Sequence, residues 1–440
     1  MAYGSQQSNV DALSDMTGIV HEIFSGDVLP SVRYESISAQ LMQNAGEGQY
    51  RYDGESLNGA TDLLRPTGAV ASGGALPDTA HFDAANWQTT PVRRYVRRAV
   101  DNFTEAAAIK GPGSFADFGS RLFDQMWGAF RLMEIRHAVG SSDGTLCLCD
   151  SRTSATVWVG KDGFGHTGMA PTLMLDEGMV IGWRDITAAN AAAGAGVISS
   201  IVHSTFSVTM DSATTWDPSA DIASGDIIVA ATTNNIATDY YDDEYTNAKN
   251  GLIDIIDPAG ANTTVFNISQ TTYPRWKPFR VASGTFDHIE LTEFTQKHQA
   301  KSTFPVGPDS HTFLTHPAIY AELARTLVGF QQQTNLGKTL EGGYTALRIS
   351  GQDIAVDPYQ LHNVMYSVCM EDIYTISLVE AGYFDEDGSM YDRISDYDGK
   401  EWFVRDYCNS FSPRRNRHGA LTAIATPNVT ASDFNPVPDY

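Results

Sequence analysis

The pattern with the strongest chemical suggestion is GFGHTG at Gly163–Gly168, which matches the GxGxxG fingerprint of dinucleotide-binding sites. It follows a predicted strand, and Asp185 stands downstream of it, where a ribose-binding acid would be sought. Such a site needs a helix that begins at the third glycine, so that free N–H groups hold the pyrophosphate. Here Met169-Ala170-Pro171 leads into another strand. The context therefore argues against nucleotide binding, and we predict no cofactor.

Residues that could bind a metal or catalyse a reaction are equally sparse. Cys147 and Cys149 place two thiols on one face of a predicted strand, with His137 nearby, but two thiols do not make a zinc site. Acidic residues cluster at Asp239–Tyr245 and Tyr383–Gly399 without the order of an EF-hand, so solvated loops are favoured over calcium sites. No HExxH motif occurs, and no carboxylate pair is singled out for glycoside hydrolysis. We expect core cysteines, no metal site and no enzyme activity.

Arginines are concentrated in two segments. For the first, TTPVRRYVRRAV, a solvated strand face and a contact with the acidic surface of another copy are both open, since arginine binds carboxylates through two parallel hydrogen bonds. A nucleic-acid patch is the third reading, and the net charge of -24 disfavours it. For the second, SPRRNRHGA, a loop facing a neighbour's acids and a solvated turn are equally open. Reversing the charges of the first cluster is expected to leave the subunit folded and to impair assembly. The candidate inter-subunit contacts are Arg93, Arg94, Arg97, Arg98, Arg414, Arg415 and Arg417.

Composition limits the classes of function. The 440 residues include 53 acids and 29 Lys plus Arg, which gives a net charge of -24. Such a chain repels nucleic acid, because non-specific binding needs cations that displace counterions from phosphates. Four scattered cysteines suit a reducing compartment, and we expect no signal peptide and no membrane-spanning segment.

The longest helical pattern lies between Gly111 and Gly140 and predicts a helix over residues 114–139, about 39 Å long. Ser114 is the expected N-cap, and Asp117 completes an approximate capping box. The expected apolar face contains Phe115, Phe118, Leu122, Met126, Ala129 and Met133, widened by Phe123, Trp127, Phe130 and Ile135. Arg121, Asp124, Arg131, Glu134 and Arg136 are expected to face water.

Other patterns define the remaining organisation. A Gly-rich stretch lies between two predicted strands, Gln49–Asp53 and Pro91–Val100, which would form a protruding hairpin. Short strands with Gly-Asp turns over 154–235 predict a small barrel or sandwich. The predicted segments are an arm (1–48), the extended hairpin loop (49–100), a helix-containing segment (101–153), a β-rich insertion (154–235), mixed structure (236–309), an alternating α/β segment (310–425) and a tail (426–440).

This order, together with particular residues, resembles the major capsid proteins of tailed bacteriophages. The segments that carry the resemblance are GSFADF before the long helix, NGLIDIID, VFNIS and YPRWKP at Asn250–Pro278, SHTFLTHPAIYAELARTL at Ser310–Leu327 and GYTALRISGQDIAVDP at Gly343–Pro358. The resemblance covers about residues 35 to 425, and none of its motifs is catalytic.

The resemblance implies an α+β tailed-phage/herpesvirus major capsid fold. The spine helix 114–139 would belong to a peripheral domain (101–153 and 236–309), residues 310–425 would be mainly the axial domain, and 154–235 would be an insertion. It further implies assembly in the host cytoplasm, through hexamers and pentamers, into a virion head that encloses double-stranded DNA without sequence-specific binding. The expected partners are a separate scaffolding protein and a portal at one vertex. Whether a decoration protein also binds is left open. The alternative is an acidic cytoplasmic carbohydrate-active enzyme with a β accessory module.

Overall fold

The structure is a computed structural model, and it describes residues 10–11, 36–43, 56–64, 83–102, 118–154, 156–161, 174–188, 191–211, 222–231, 244–257, 259–260, 262–302, 306, 310–328, 338–339, 345–349, 352–383, 392–393 and 398–426. The chain divides into two compact units. The first contains Met1–Glu35, Val92–Arg136 and Ser377–Cys408. The second contains Ser36–Pro91, His137–Ile376 and Asn409–Tyr440.

The described α-helices are α1 (Ile37–Gln43), α2 (Phe118–Val139), α3 (Leu252–Ile256), α4 (His288–Ser302) and α5 (Pro317–Val328). The described strands are β1 (Val10–Asp11), β2 (Leu57–Leu64), β3 (Asp83–Thr89), β4 (Val92–Asp101), β5 (Thr145–Arg152), β6 (Val157–Lys161), β7 (Val180–Asp185), β8 (Ala191–Val202), β9 (Ser207–Met210), β10 (Ile227–Ala230), β11 (Thr264–Val265), β12 (Ile268–Ser269), β13 (Phe279–Ala282), β14 (His311–Thr315), β15 (Lys338–Thr339), β16 (Thr345–Ile349), β17 (Gln352–Val356), β18 (Met365–Cys369), β19 (Tyr374–Tyr383), β20 (Asp392–Arg393), β21 (Gly399–Phe411) and β22 (Gly419–Thr422).

The first unit is a five-stranded sheet covered by α2. Its strand order is β1-β4-β21-β19, and β20 pairs with β21. The packing between helix and sheet joins Met126, Phe130 and Met133 to strand residues Trp402 and Val404. Burial of these large side chains attaches the helix to one face of the sheet, since each is worth about 1.5–3 kcal/mol when fully removed from water.

The long helix differs from its sequence prediction in two ways. Ala129 is exposed although it was predicted in the apolar face, and Glu134 is buried although it was predicted in water. The buried face of the helix contains residues 126, 130 and 133, because these pack on the sheet. Glu134 can lie on the same face because it forms an ion pair with Arg94. The helix has 22 residues, about 33 Å. The predicted caps Ser114 and Asp117, and Phe115, lie outside the described residues, as do the side chains of residues 118–123.

The arginine-rich strand β4 is not the returning strand of a hairpin, as the sequence suggested. Its antiparallel partner is β21, with Tyr95 opposite Arg405. The hairpin instead pairs β2 with β3, inside the stretch predicted to be a loop. Pro91 separates β3 from β4, because proline has no N–H to donate to a strand ladder. The predicted strand Gln49–Asp53 lies outside the described residues.

The β-rich insertion is a closed antiparallel barrel in the second unit, with strand order β10-β5-β6-β9-β8-β7 and β10 pairing with both β5 and β7. It begins at Thr145, earlier than the predicted boundary at residue 154. Alternating side chains fill its interior, among them Cys147, Cys149 and Trp183. Gly194 leaves room for Trp183: a Cβ there would lie 1.8 Å from the indole ring.

The second unit also contains a seven-stranded mixed sheet, ordered β13-β22-β18-β14-β17-β16-β15. Helices α4 and α5 contribute Phe294, Ile319 and Leu323 to the hydrophobic core that contains the sheet residues Phe313 and Ile354. Strand β13 of this sheet comes from the predicted segment 236–309. Residues 377–408 of the predicted segment 310–425 belong instead to the first unit. The segment VMYSVCMEDIYTISL contains β18 and the beginning of β19, which belong to different sheets.

The end of the predicted arm is attached to the second unit. Ser36 is the N-cap of α1, with its hydroxyl accepting from Ala39 N–H at 3.2 Å. The buried carboxylate of Asp357 accepts hydrogen bonds from the Ser36 hydroxyl and, at 2.9 Å, from Ser38 N–H. Gln360 donates to the Ser38 hydroxyl at 2.5 Å. This part of the arm is thus fixed by hydrogen bonds within its own chain.

Candidate functional site

The two faces of the β4–β21 ladder carry different chemistry, and the division follows from strand alternation. On the face towards α2, Arg94 lies between Glu134 of the helix and Asp406 of β21 and forms ion pairs with both. All three side chains are at least 95% buried. Arg94 also lies 3.0 Å from Cys408 Sγ. The buried cation therefore connects two strands and the helix.

The charge of Arg94 is compensated where it lies. Burial alone would lower the pKa of Arg94, but Glu134, Cys408 and Asp406 together raise it above its ordinary value. The guanidinium therefore remains charged and is paired with carboxylates inside the subunit. Its prediction as an inter-subunit contact is corrected: the ion pairs bury it between sheet and helix, where it cannot reach a neighbour.

The opposite face of the ladder, which we call the outer face, presents alternating arginine and aromatic side chains. Strand register places them in directly opposed pairs, each containing one arginine and one ring. Tyr95 is 48% exposed and its hydroxyl lies 2.5 Å from that of Tyr407. The outer face is defined by the pairs Arg93–Tyr407, Tyr95–Arg405 and Arg97–Phe403.

Contacts within the outer face hold the side chains in position. Arg97 forms an ion pair with Glu401, and its guanidinium lies 5.5 Å from the centre of the Phe403 ring. Arg405 lies 5.9 Å from the centre of the Tyr407 ring. Partial burial and the hydrogen bond between the two hydroxyls of Tyr95 and Tyr407 raise the pKa of Tyr95. The six residues of the outer face include three arginines and no carboxylate, which gives them a local positive charge in an acidic chain.

Arg98 is the remaining residue of the first cluster, and it is partly exposed. Strand alternation places it on the side of β4 opposite to the outer face. Arg93 is exposed and Arg97 has an exposed side-chain fraction of 40%. The structure therefore leaves Arg93 and Arg97 available to a neighbour, whereas it removes Arg94.

The second arginine cluster is held inside its own unit. The carboxylate of Asp372, which is fully buried, forms ion pairs with Arg414 and Arg417, the latter at 2.7 Å. Arg415 donates from Nε to Ile255 C=O at 2.6 Å and from Nη2 to Asp254 C=O at 3.0 Å, and so satisfies carbonyls at the end of α3.

Burial consequently decides the role of this cluster. Arg415 is fully buried, with its guanidinium 4.8 Å from the centre of the Trp276 ring, and burial lowers its pKa to about 9. Arg417 is only 8% exposed, whereas the Arg414 side chain is 45% exposed. The inter-subunit prediction is therefore corrected for Arg415, which is fully buried and donates from Nε and Nη2 within its own chain, and Arg414 is the accessible member.

NGLIDIID forms a junction whose detail the pattern did not predict. A Cβ on Gly251 would lie 2.3 Å from the carbonyl oxygens of both His137 and Gly140, so α3 begins in direct contact with the end of α2. The carboxylate of Asp254 accepts from Ser142 N–H at 2.5 Å. Burial raises the pKa of Asp254 to about 6. A tightly packed glycine between two helix ends is a structural reason for this motif.

The residues considered for metal binding are core residues. Cys147 and Cys149 are fully buried free thiols, and burial raises the pKa of both, that of Cys149 to about 12. His137 lies 3.4 Å from Glu244. Among the described residues, no group of three His, Cys, Asp or Glu side chains could hold a metal ion. GFGHTG and most of both acidic clusters lie outside the described residues.

Buried histidines are the group that sequence reasoning missed. His298 and His311 meet edge to face with ring centres 5.6 Å apart, and His298 stacks on Phe279. His418 accepts from Cys369 N–H at 3.2 Å. Burial lowers the pKa of His298 to about 3 and that of His418 well below its ordinary value. Their positions on α4, β14 and the segment before β22 are too far apart in sequence for spacing to reveal them.

In the part of the chain that the structure describes, no helix is both long and apolar enough to cross a membrane. No protein-family model matches the sequence. No curated protein matches it either.

Solved structures do match. A chain from the capsid asymmetric unit of Cyanophage A-1(L) is 11% identical, with a TM-score of 0.51, and the likeness covers 91% of this chain and 96% of that one. A chain of the Cyanophage P-SCSP1u capsid is 12% identical over 92% and 93% of the two chains, with a TM-score of 0.44. A chain from the capsid of an empty GTA particle is 8% identical over 94% and 98%, with a TM-score of 0.42.

The first likeness has a TM-score above 0.5 and extends over nearly the whole of both chains, so it establishes the fold. The chain has the α+β fold of a phage capsid protein. The resemblance found in the sequence is confirmed at the level of the fold.

Proposed function

We propose that this chain is the major capsid protein of a tailed bacteriophage, and that many copies assemble through hexamers and pentamers into an icosahedral head around double-stranded DNA. The observation that carries the proposal is the capsid fold, which covers 91% of this chain and 96% of the Cyanophage A-1(L) chain. Because the fold accounts for nearly the entire chain, little remains for a separate catalytic domain.

The proposed role requires no catalysis, cofactor or metal. The four cysteines are buried in the interior of the barrel and the sheets, and the carboxylates of Glu134 and Asp406 form ion pairs with Arg94. No carboxylate pair in the described residues has emerged as a candidate for glycoside hydrolysis. The carbohydrate-active enzyme, kept as the sequence-based alternative, thus lacks a supporting observation.

Net charge is consistent with a container for DNA. At -24 per copy, the inner surface of a shell would repel phosphates on average, so packaged DNA would not adhere strongly. DNA would be enclosed without sequence-specific binding. The protein would be located in the virion after assembly in the host cytoplasm.

The same net charge opposes assembly, because it makes the copies repel one another. Copies that each carry -24 repel one another unless their contacts bring opposite charges together. The accessible arginines Arg93, Arg97 and Arg414, with the partly exposed Arg98, remain candidates for such contacts. A separate scaffolding protein, a portal at one vertex and a decoration protein are further proposed partners.

Expression of the full chain, alone and with the scaffolding protein of the same phage, tests the proposal. We expect closed shells or hexamers and pentamers by electron microscopy and as fast-sedimenting material in velocity centrifugation. A chain that stays monomeric under every condition, including co-expression with the scaffolding protein, would contradict it.

A further inference from the structure

We propose that the outer face of the β4–β21 ladder binds a carboxylate-rich surface of a second copy of this chain. This inference rests on the proposed shell function and names the partner of one of its contacts. The six residues that form the surface are Arg93, Tyr95, Arg97, Phe403, Arg405 and Tyr407.

The first argument is geometric. Arg93, Tyr95 and Arg97 occupy alternate positions of one strand, so their side chains stand about 7 Å apart on the same side of the sheet. The register places a ring opposite each arginine across the ladder. Hydrogen bonding and ring contacts at Tyr95–Tyr407, Arg97–Phe403 and Arg405–Tyr407 restrict the side chains before any partner arrives. A prearranged surface loses less conformational entropy on binding.

The second argument is charge complementarity. The six residues of the face include three arginines and no carboxylate, and Arg97 among them pairs with Glu401 of β21, whereas the chain as a whole carries -24. Any second copy therefore presents an excess of carboxylates. Arg97 already pairs with Glu401, which shows that a carboxylate can bind at this face, and the exposed Arg93 lies two positions from Tyr95 on the same side.

The third argument concerns residue type. Tyrosine and arginine are enriched at the centres of protein interfaces, because their large side chains combine apolar area with hydrogen-bonding groups. Tyr95 leaves 48% of its surface exposed in the isolated subunit. DNA phosphates would also suit the arginines, but a copy whose net charge is -24 would repel the duplex that approaches it. A second copy of the chain is therefore the favoured partner.

The test uses R93E/R405E in the full chain, which leaves the Arg97–Glu401 ion pair in place. The matched control is R275E/K301E, which reverses two exposed cations outside the ladder and likewise changes the net charge from -24 to -28. We expect R93E/R405E to raise the concentration needed for assembly about tenfold or more, as loss of about 1.4 kcal/mol would. The control should assemble at the concentration that suits the wild type. Circular dichroism should show both variants folded.

The outcomes separate this inference from the proposed function. If the wild type assembles and R93E/R405E assembles equally well, the inference is wrong and the shell function stands. If the wild type does not assemble under any condition, the proposed function fails. If both double variants lose assembly equally, total charge rather than the outer face is responsible, and the inference is again wrong.

Zero-length cross-linking identifies the partner. R93K and R405K provide amines on the outer face that carbodiimide couples to carboxylates within contact distance, and mixing ¹⁴N- and ¹⁵N-labelled copies distinguishes links between copies from links within one. We expect isotopically mixed peptides that join position 93 or 405 to Asp or Glu. Links confined to single copies, or duplex DNA retarded by the wild-type subunit and not by R93E/R405E while assembly is unchanged, would overturn the proposal.

Discussion

Glu134 of the long helix forms a buried ion pair with Arg94 of strand β4. Sequence pattern placed the glutamate in water and the arginine at a contact with a neighbour, yet the two meet inside one unit. Asp406 of β21 completes the group, so a single guanidinium ties together three elements. Reversing all four arginines of this strand would therefore damage the fold, contrary to the expectation drawn from the sequence.

Replacing Arg94 with leucine should destabilise the subunit by about 3–5 kcal/mol, because Glu134 and Asp406 would remain buried without a compensating charge. Urea unfolding followed by circular dichroism measures the change. Arg93→Leu, one residue away on the exposed side, is the matched control and should stay within about 0.5 kcal/mol of the wild type. Equal losses in the two variants would contradict the buried ion-pair assignment.

Gly194→Ala should destabilise the barrel by about 1–3 kcal/mol, because the added Cβ would lie 1.8 Å from the indole ring of Trp183 and the ring would have to move. Tryptophan fluorescence should change along with the thermal midpoint. Gly128→Ala in α2 is the control, since nothing lies within 4 Å of the new Cβ, and helix propensity should make it neutral or stabilising. A tolerated Gly194→Ala with unchanged fluorescence would refute the close packing.

Acid should destabilise the protein through its buried histidines. Burial lowers the pKa values of His298 and His316 from 6.5 to about 3, so both are neutral in the folded state and charged in the unfolded state between these limits. Their stabilising contribution is complete above pH 6.5 and is lost as pH falls towards 3, by up to about 1.4 kcal/mol per pH unit for each histidine. Asp254, whose pKa is raised to about 6, acts in the opposite direction as it protonates.

A comparison of variants isolates the contribution of His298 to the pH dependence of stability. His298→Phe should reduce the pH dependence of urea unfolding between pH 6.5 and 4 relative to the wild type, whatever its effect at pH 8. Parallel stability curves for wild type and His298→Phe would show that His298 is not responsible.

Asp357→Ala should release α1, because it removes the carboxylate that accepts from the Ser36 hydroxyl and from Ser38 N–H. Limited proteolysis should cut within residues 36–43 at least several-fold faster, and the loss of stability should be about 1–3 kcal/mol. Asp211→Ala, at an exposed position after β9, is the control. Unchanged cleavage in Asp357→Ala would argue that the apolar contacts of Ile37 and Met42 hold the segment alone.

Local sequence patterns predicted helices and strands well where the spacing of apolar residues was regular or where glycine and proline marked the ends of a segment. The long helix, Phe118–Val139, lies within its predicted bounds of 114–139, and the insertion forms a barrel, one of the two folds predicted for 154–235. The patterns failed where the partner strand was distant. Arg94 and Asp406 are separated by 312 residues, and no local signal could assign β4 to β21 rather than to the preceding hairpin.

By itself, the sequence determined the acidic charge, the alternation of β4, the long amphipathic helix and the order of segments that resembles a phage capsid protein, because these depend on composition and on neighbours along the chain. Only the tertiary structure decided which arginines are buried. Alternation puts Arg93 and Arg94 on opposite faces of the strand, but the helix that packs on one face determines which of them is withdrawn from solvent. That choice depends on contacts between distant segments, and it separates a residue that holds the subunit together from one available to a second copy.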